Sequence, residues 1–536
     1  MDKYNSIIND EKFSKLSLNT TTYPKSLKHW ETLLNYLIAA ATPINKTINA
    51  NTLRLIRSTY EAMLFNFPFL ENYHIDFALF EYKLGHVSRF HKIFKRALYI
   101  HNERSLVLWV SYLRICNEIV IEPKQLFKKY EEAEQYIGLH YHSGVFWEMY
   151  LEQLKLRCKT KQRYFIVLRK ILEIPLHTFS TFYGLWINHI DEIRDLSELT
   201  LFINEDDLLK KLKIDKNYSG RRGPYLADAK KAIKKFTKEL YMVIQLQVME
   251  RYNLFESKLT TQYYTSAENF LPDSEVQTWV KYLDYTIELD IPELCHINFQ
   301  RALTPLSNID IIWLKYAYWL LDVVKNETMA KVVLIRGIEL SLEKIKIVHL
   351  LCELLTSLDE IHTLHDLLED MNILHENDIE SCKDFNLFWD FMQFQIFLAN
   401  SATLSRYDNK TPATIIPEKL LKVVQKRLIA SGKRDEKNRM INGMMLLQSK
   451  KNSKSIETEI FKYVVENCQD DYLNHEQFWK EYCELILFDL NRTLTERVDY
   501  IIKTILPQMP RNKETLKAIE GLARIYFPQY IEQLGA

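Results

Sequence analysis

Histidine, cysteine, lysine, arginine and carboxylate side chains are what this 536-residue chain could do chemistry with, and their spacing limits the options. His140 and His142 ahead of Cys158 come nearest to a metal-ligand set. A zinc site takes four ligands, or three and a water, so the set is short, and a histidine-bearing loop between helices accounts for it. The seven cysteines (Cys116, Cys158, Cys295, Cys352, Cys382, Cys468, Cys483) include no CxxC pair and suit a reducing compartment. No GxxxxGK(S/T) loop or GxGxxG turn is present to cradle phosphates, and HExxH and GxSxG are absent too. Carboxylates abound without a pair in an apolar setting. The expectation is a protein with no catalytic activity, no cofactor, no metal and no small-molecule substrate.

One cluster invites a binding role. Lys230, Lys231, Lys234, Lys235 and Lys238 recur at helical spacing, so most lie along one face, with Arg221 and Arg222 just upstream. A solvated helix face explains them; the functional alternative is a salt-sensitive, sequence-blind contact to RNA phosphate or to an acidic partner. Seventy basic residues balance seventy acidic ones, which argues against a chain that coats nucleic acid unaided.

The elements that position these residues are legible from the aromatics. Five of the nine tryptophans open a W-x-x-Y pair: Trp109 and Tyr112, Trp147 and Tyr150, Trp279 and Tyr282, Trp313 and Tyr316, Trp479 and Tyr482. Tyr183 and Trp186 form the same pair reversed. Residues three apart share a helix face, so each pair makes an aromatic stripe that needs a neighbouring helix. The stripes recur after 38 residues (Trp109 to Trp147), 36 (Trp147 to Tyr183) and 34 (Trp279 to Trp313), and Tyr73 lies 36 before Trp109. That is the period of a two-helix repeat. Aromatics among lysines can stack on RNA bases, but recurrence in every repeat assigns these to the core.

Between stripes runs a second amphipathic helix, in TYEAML then FNFP (59–68), IFKRALYI (93–100), KYEEAEQYI (129–137), LRKILEIP (168–175) and FQRALTP (299–305). Proline ends several of these by removing an amide donor. Eleven glycines and fourteen prolines are few for this length, against roughly 7% and 5% in average proteins, which disfavours sheets and phosphate loops. The fold class expected is all-α, an α-solenoid of antiparallel helix pairs in two arrays, whose stacking buries stripes that no pair could bury alone.

Alternation of W-x-x-Y helices with F-x-R-A-L-x-x-P helices resembles the half-a-TPR (HAT) repeat. The order RYNLFESKL, QTWVKYLDYTIELD, INFQRALTP, IIWLKYAYWL between Arg251 and Leu320 is similar to the central segment of the pre-mRNA processing factor 39/42 family, paired subunits of the U1 small nuclear ribonucleoprotein. The short lead before Trp30 and the short tail look more like the factor 42 branch. The resemblance implies a nuclear splicing scaffold acting near the 5′ splice site. Its implied partners are a related HAT protein, in a hetero- or homodimer through C-terminal repeats, and other U1 proteins through N-terminal repeats, with U1 RNA or pre-mRNA contacted mainly indirectly. Scaffolds of mRNA 3′-end cleavage or ribosome biogenesis, and a direct RNA-binding module using Arg221 to Lys238, are the alternatives.

Departures and breaks divide the chain. Trp30 and Trp389 are followed at +3 by Leu33 and Met392, and no tryptophan stands near His349. Residues 203–224 read as a loop before a long helix from Tyr225 to about Leu259; further breaks are expected at 400–417 and 449–455. The organisation expected is an N-terminal array (1–202), a loop and connecting helix (203–259) and a C-terminal array (260–536). Apolar residues of the last repeat, around Trp479, Tyr482, Tyr500, Ile501, Phe527 and Tyr530, either cap the core or meet a dimer partner. MDKYNSIINDEK lacks the apolar run of a signal peptide. The run from Ile311 to Val324 contains Lys315 and Asp322 and is shorter than the ~20 residues of a membrane helix, so a soluble, intracellular protein with no membrane partner is expected.

Overall fold

The computed structural model describes residues 7–46, 48–202, 222–266, 271–371, 384–400, 476–487 and 493–530, with a few positions between 424 and 464. Every regular element among them is helical. The chain divides into two compact units, 1–343 and 344–536.

The first unit begins with α1 (Glu11–Thr22), α2 (Leu27–Ala41), α3 (Ala50–Asn66), α4 (Glu71–Lys83), α5 (Val87–Ile100), α6 (Leu106–Ile119), α7 (Pro123–Ile137), α8 (Gly144–Arg157), α9 (Gln162–Leu172) and α10 (Phe179–Glu192). The long α11 (Arg222–Leu254) follows, then α12 (Asp273–Glu288), α13 (Pro292–Leu306), α14 (Asp310–Trp319) and α15 (Glu327–Leu340). The second unit holds α16 (Ile345–Ser357), α17 (Ile361–Met371), α18 (Phe385–Asn400), α19 (Glu476–Leu487), α20 (Leu494–Tyr500) and α21 (Lys513–Tyr526).

Tryptophan does more in these repeats than fill space. The indole N–H of Trp30 donates to the Pro24 carbonyl (2.9 Å), that of Trp109 to Glu103 (2.7 Å), that of Trp147 to Gly138 (3.1 Å) and that of Trp313 to Ser307 (2.9 Å). Each acceptor lies just upstream of the tryptophan's own helix, so the ring satisfies a loop carbonyl, which phenylalanine could not do. In three stripes the tyrosine stacks on an aromatic that precedes its own helix: Tyr150 on Tyr130 (centroids 4.7 Å apart), Tyr282 on Phe255 (4.6 Å) and Tyr316 on Phe299 (4.5 Å). Ala97, Ala133 and Ala302 are fully buried where the paired helices approach.

Helix ends explain how so little glycine suffices. Left-handed residues follow α4, α5, α12 and α16, yet only Gly85 (φ +81°) is glycine; Asn102, Glu103, Asp290 and Asp359 take the others. After α4 the amide of His86 donates to the Glu81 carbonyl (2.9 Å), and after α16 that of Glu360 to Leu355 (3.0 Å), the six-to-one closure that ends a helix.

Several expectations need correction. Arg222 to Pro224 are not loop but the first turn of α11, where proline is tolerated because its missing N–H has no helical acceptor; that helix ends at Leu254, not near Leu259. Pro305 lies inside the last turn of α13 rather than beyond it. In α10 the buried residue beside Trp186 is Phe182 (1% exposed), while Tyr183 is half-buried against Tyr241 of α11 (4.2 Å). In α18 the core takes Phe388, Phe391 and Met392, leaving Trp389 half-buried. A helix facing two neighbours has two apolar faces, so the largest aromatic need not mark the deeper one. α16 forms without a tryptophan, its core face made by Val348, Leu351 and Cys352. By compactness the chain parts at 343/344, with α11 to α15 inside the first unit. The breaks expected at 400–417 and 449–455 lie outside the described residues.

Candidate partner-binding surfaces

The stripe residues Trp109, Tyr112, Trp147, Tyr150, Trp186, Trp279, Tyr282, Trp313, Tyr316, Trp479 and Tyr482 are all buried, none more than 5% exposed. They hold the repeats together and are closed to a partner. Binding must therefore use the outer faces and edges.

The loops at one end of α3 to α8 are also occupied, by the later helices of the same unit. Phe69 stacks on Trp313 (6.2 Å, 9°), and Asn102 donates to Gln300 (2.9 Å). Arg336 of α15 donates to the carbonyls of Ile100 (3.1 Å) and Tyr99 (3.2 Å) and to the Asn102 side chain (2.5 Å). At the centre Arg301 binds Glu256 through two parallel bonds, and His142 Nε2 stands 3.4 Å from the same carboxylate. Tyr282 donates to Glu256 (2.8 Å). Burial, the largest single influence, pushes the Glu256 carboxyl up, but the Arg301 charge and the hydrogen bonds from His142 and Arg301 together outweigh it and hold the group far below the usual carboxylate range. Burial, aided by Arg301, keeps His140 neutral, its pKa well below the ordinary histidine value. Nδ1 of His140 accepts the His142 amide (3.0 Å). The histidines that came nearest to a metal motif thus belong to this polar joint, and among the described residues no three His, Cys, Asp or Glu side chains are grouped to hold a metal. Among them, too, no helix is long and apolar enough to cross a membrane.

The basic run of α11 divides in two. Lys230 donates to the Asp191 carbonyl (2.9 Å) and Lys234 to the Asp191 carboxylate (2.6 Å), clamping α11 to the end of α10. Lys231, Lys235 and Lys238 are exposed, Lys231 at 3.9 Å from Asp228. Arg221 and the Arg222 side chain lie outside the described residues. Sequence reading missed the apolar face further along this helix, where Met242, Val243, Leu246 and Met249 are 47–70% exposed. The signal was a helix apolar on more than one side.

In the second unit, Ile501 and Phe527 are fully buried in the core that contains Trp479 and Tyr482, and Tyr500 is half-buried against it. Ile501 and Phe527 are thus part of the core of the last repeat, while Tyr500 keeps part of its surface exposed. Tyr530 falls in a terminal 3-10 turn (Pro528–Tyr530), its side chain outside the described residues. Among the described residues, the exposed large apolar side chains at this end are Leu494 (52%) and Ile525 (72%).

Comparison with known proteins places this architecture. Residues 14–187 match the family model described as PRP39 N-terminal HAT repeat, and residues 250–388 that described as PRP39 C-terminal HAT repeat. The U1 small nuclear ribonucleoprotein component PRP42 of Saccharomyces cerevisiae is 47% identical over 536 residues, covering 100% of this chain and 98% of its own. Pre-mRNA-processing factor 39 of Schizosaccharomyces pombe is 22% identical over 60% of this chain and 51% of its own, and the human factor 39 is 23% identical over 64% and 52%.

Proposed function

The chain belongs to the HAT-repeat family of pre-mRNA-processing factors 39 and 42, and from that premise we propose that it is a structural, non-catalytic subunit of a U1 small nuclear ribonucleoprotein, acting in pre-mRNA splicing in the nucleus. The observation that carries this reading is the similarity to the yeast U1 component along the entire chain. The fold supports it physically: the aromatic stripes are consumed by stacking, leaving a solenoid whose free faces can each hold a different protein. The N-terminal repeats take other particle proteins, and the C-terminal unit takes a related HAT protein through the surface carrying Leu494 and Ile525, with RNA contacted mainly through these partners. The N-terminal array, the 203–259 connection and the C-terminal array divide these tasks.

The test is affinity purification of the tagged chain from its native cells, with protein identification and RNA blotting. Recovery of a related HAT protein with U1 RNA and its core proteins is the expected result. Recovery of cleavage factors or pre-ribosomal proteins would keep the fold and remove the particle assignment.

A further inference from the structure

Three second helices of the first unit carry an arginine immediately before the small residue at the helix contact: Arg96 before Ala97, Arg301 before Ala302 and Arg336 before Gly337. Two of these arginines are used inside the fold, Arg301 by Glu256 and Arg336 by the backbone at 99–100 and by Asn102. Arg96 has no hydrogen-bond or ion-pair partner among the described residues and stands exposed beside a cleft.

That cleft, of about 320 Å³, opens between α3, α4 and α5. Its apolar lining comes from Leu64, Phe77, Ile93 and Ile100. Buried His74, 3% exposed, adds a neutral ring whose Nε2 is bonded to the Pro68 carbonyl (2.9 Å). Along one rim Arg89, Lys92 and Arg96 follow at i, i+3 and i+7 on α5, all exposed and none ion-paired among the described residues; Glu61 is the single acid in the lining. Three cations against one carboxylate, in a chain whose total charge is zero, make a local positive edge over an apolar floor.

We propose that this cleft is a docking site for an acidic peptide segment that inserts one large apolar side chain between Leu64, Phe77 and Ile93 and lays its carboxylates along Arg89, Lys92 and Arg96. The row spans about two turns of helix, or ~10 Å at 1.5 Å per residue, a length matched by carboxylates on either side of one anchor residue. The volume lies at the lower end for ligand sites, roughly 300–1,000 Å³, and suits one side chain rather than a folded domain. RNA phosphate would meet the cations but gain nothing from the apolar floor, and Phe77, 6% exposed, presents no ring face on which a base could stack. The inference does not depend on which particle the chain serves.

The test uses the purified full chain and fluorescence anisotropy. The probes are short synthetic peptides in which one Phe, Leu or Trp is flanked on both sides by Asp and Glu. Saturable binding that weakens with salt is expected, falling about tenfold in Arg96→Glu and in Lys92→Glu and by a similar factor when the anchor is replaced by Gly. Lys235→Glu on the distant α11 should leave it unchanged. The proposal is overturned by absence of saturable binding, by equal binding to the wild type and both rim variants, or by an equal loss in Lys235→Glu. It is overturned in favour of RNA if a uridine-rich oligonucleotide displaces the peptides and shows the same dependence on Arg96.

Discussion

Arg301 and Glu256, 45 residues apart in sequence, meet through bonds of 2.8 and 2.9 Å with both side chains buried, 6% and 2% exposed. The pair sits where helices after α11 close on the loop bearing His140 and His142, and His142 Nε2, 3.4 Å from Glu256, links it to the earlier half of the first unit.

Removing one partner strands the other charge. Arg301→Met or Glu256→Gln should each destabilise the first unit by about 3–5 kcal/mol, whereas the double replacement Arg301→Met with Glu256→Met should cost less than either alone. Because the folded Glu256 pKa lies below its unfolded value near ~4.3, its contribution is present above that value and lost as pH falls through the folded one. Denaturant titrations from neutral to acid pH should show this loss in the wild type and not in Glu256→Gln.

Glu71 should behave in the opposite sense. Its side chain is 13% exposed and accepts from the Ser105 hydroxyl, and burial, only partly offset by that bond, pushes its carboxyl up to about 7. A raised folded pKa favours the protonated fold, so its contribution is complete below ~4.3 and declines as pH rises toward about 7. Glu71→Gln should flatten the stability profile over that window, measured as Tm against pH.

Gly337 tests the contact between α14 and α15. A Cβ there would stand 3.1–3.2 Å from the Trp313 ring, which is 1% exposed, stacked on Phe69 and bonded through its indole N–H. Alanine should gain up to ~1 kcal/mol of helix propensity, but overpacking a ring so held costs ~1–3 kcal/mol. Gly337→Ala should therefore lower the unfolding midpoint, and a rise would mean that Trp313 moves freely.

The C-terminal end separates capping from association. Ile501→Asp buries a charge in the core and should unfold the second unit. Ile525→Asp alters a side chain 72% exposed and should leave the stability of the unit within ~0.5 kcal/mol of the wild type while weakening association with a related HAT protein, read by sedimentation. Unchanged sedimentation would move the partner surface elsewhere.

The repeat was legible because its two signals are local. W-x-x-Y places two aromatics on one helix face whatever surrounds the helix, and a period of 34 to 38 follows from helix-pair length. Position by position the pattern was weaker where a helix has two packed faces, as with Tyr183 beside Phe182 and Trp389 beside Phe388. Partner surfaces were least legible, since Ile501, Phe527 and Ile525 are alike as letters and differ only in what covers them.

By itself the sequence determined the helices, their pairing and the burial of the stripes, because periodicity and side-chain volume act within a few dozen residues. Only the tertiary structure decided which cations remain free. Arg96, Arg301 and Arg336 share one local context, yet the second is met by Glu256 and the third by the backbone at 99–100, while the first borders an open cleft. The reason is that a charge is satisfied by whatever the fold brings within hydrogen-bond reach, and those partners lie 45 to 237 residues away along the chain.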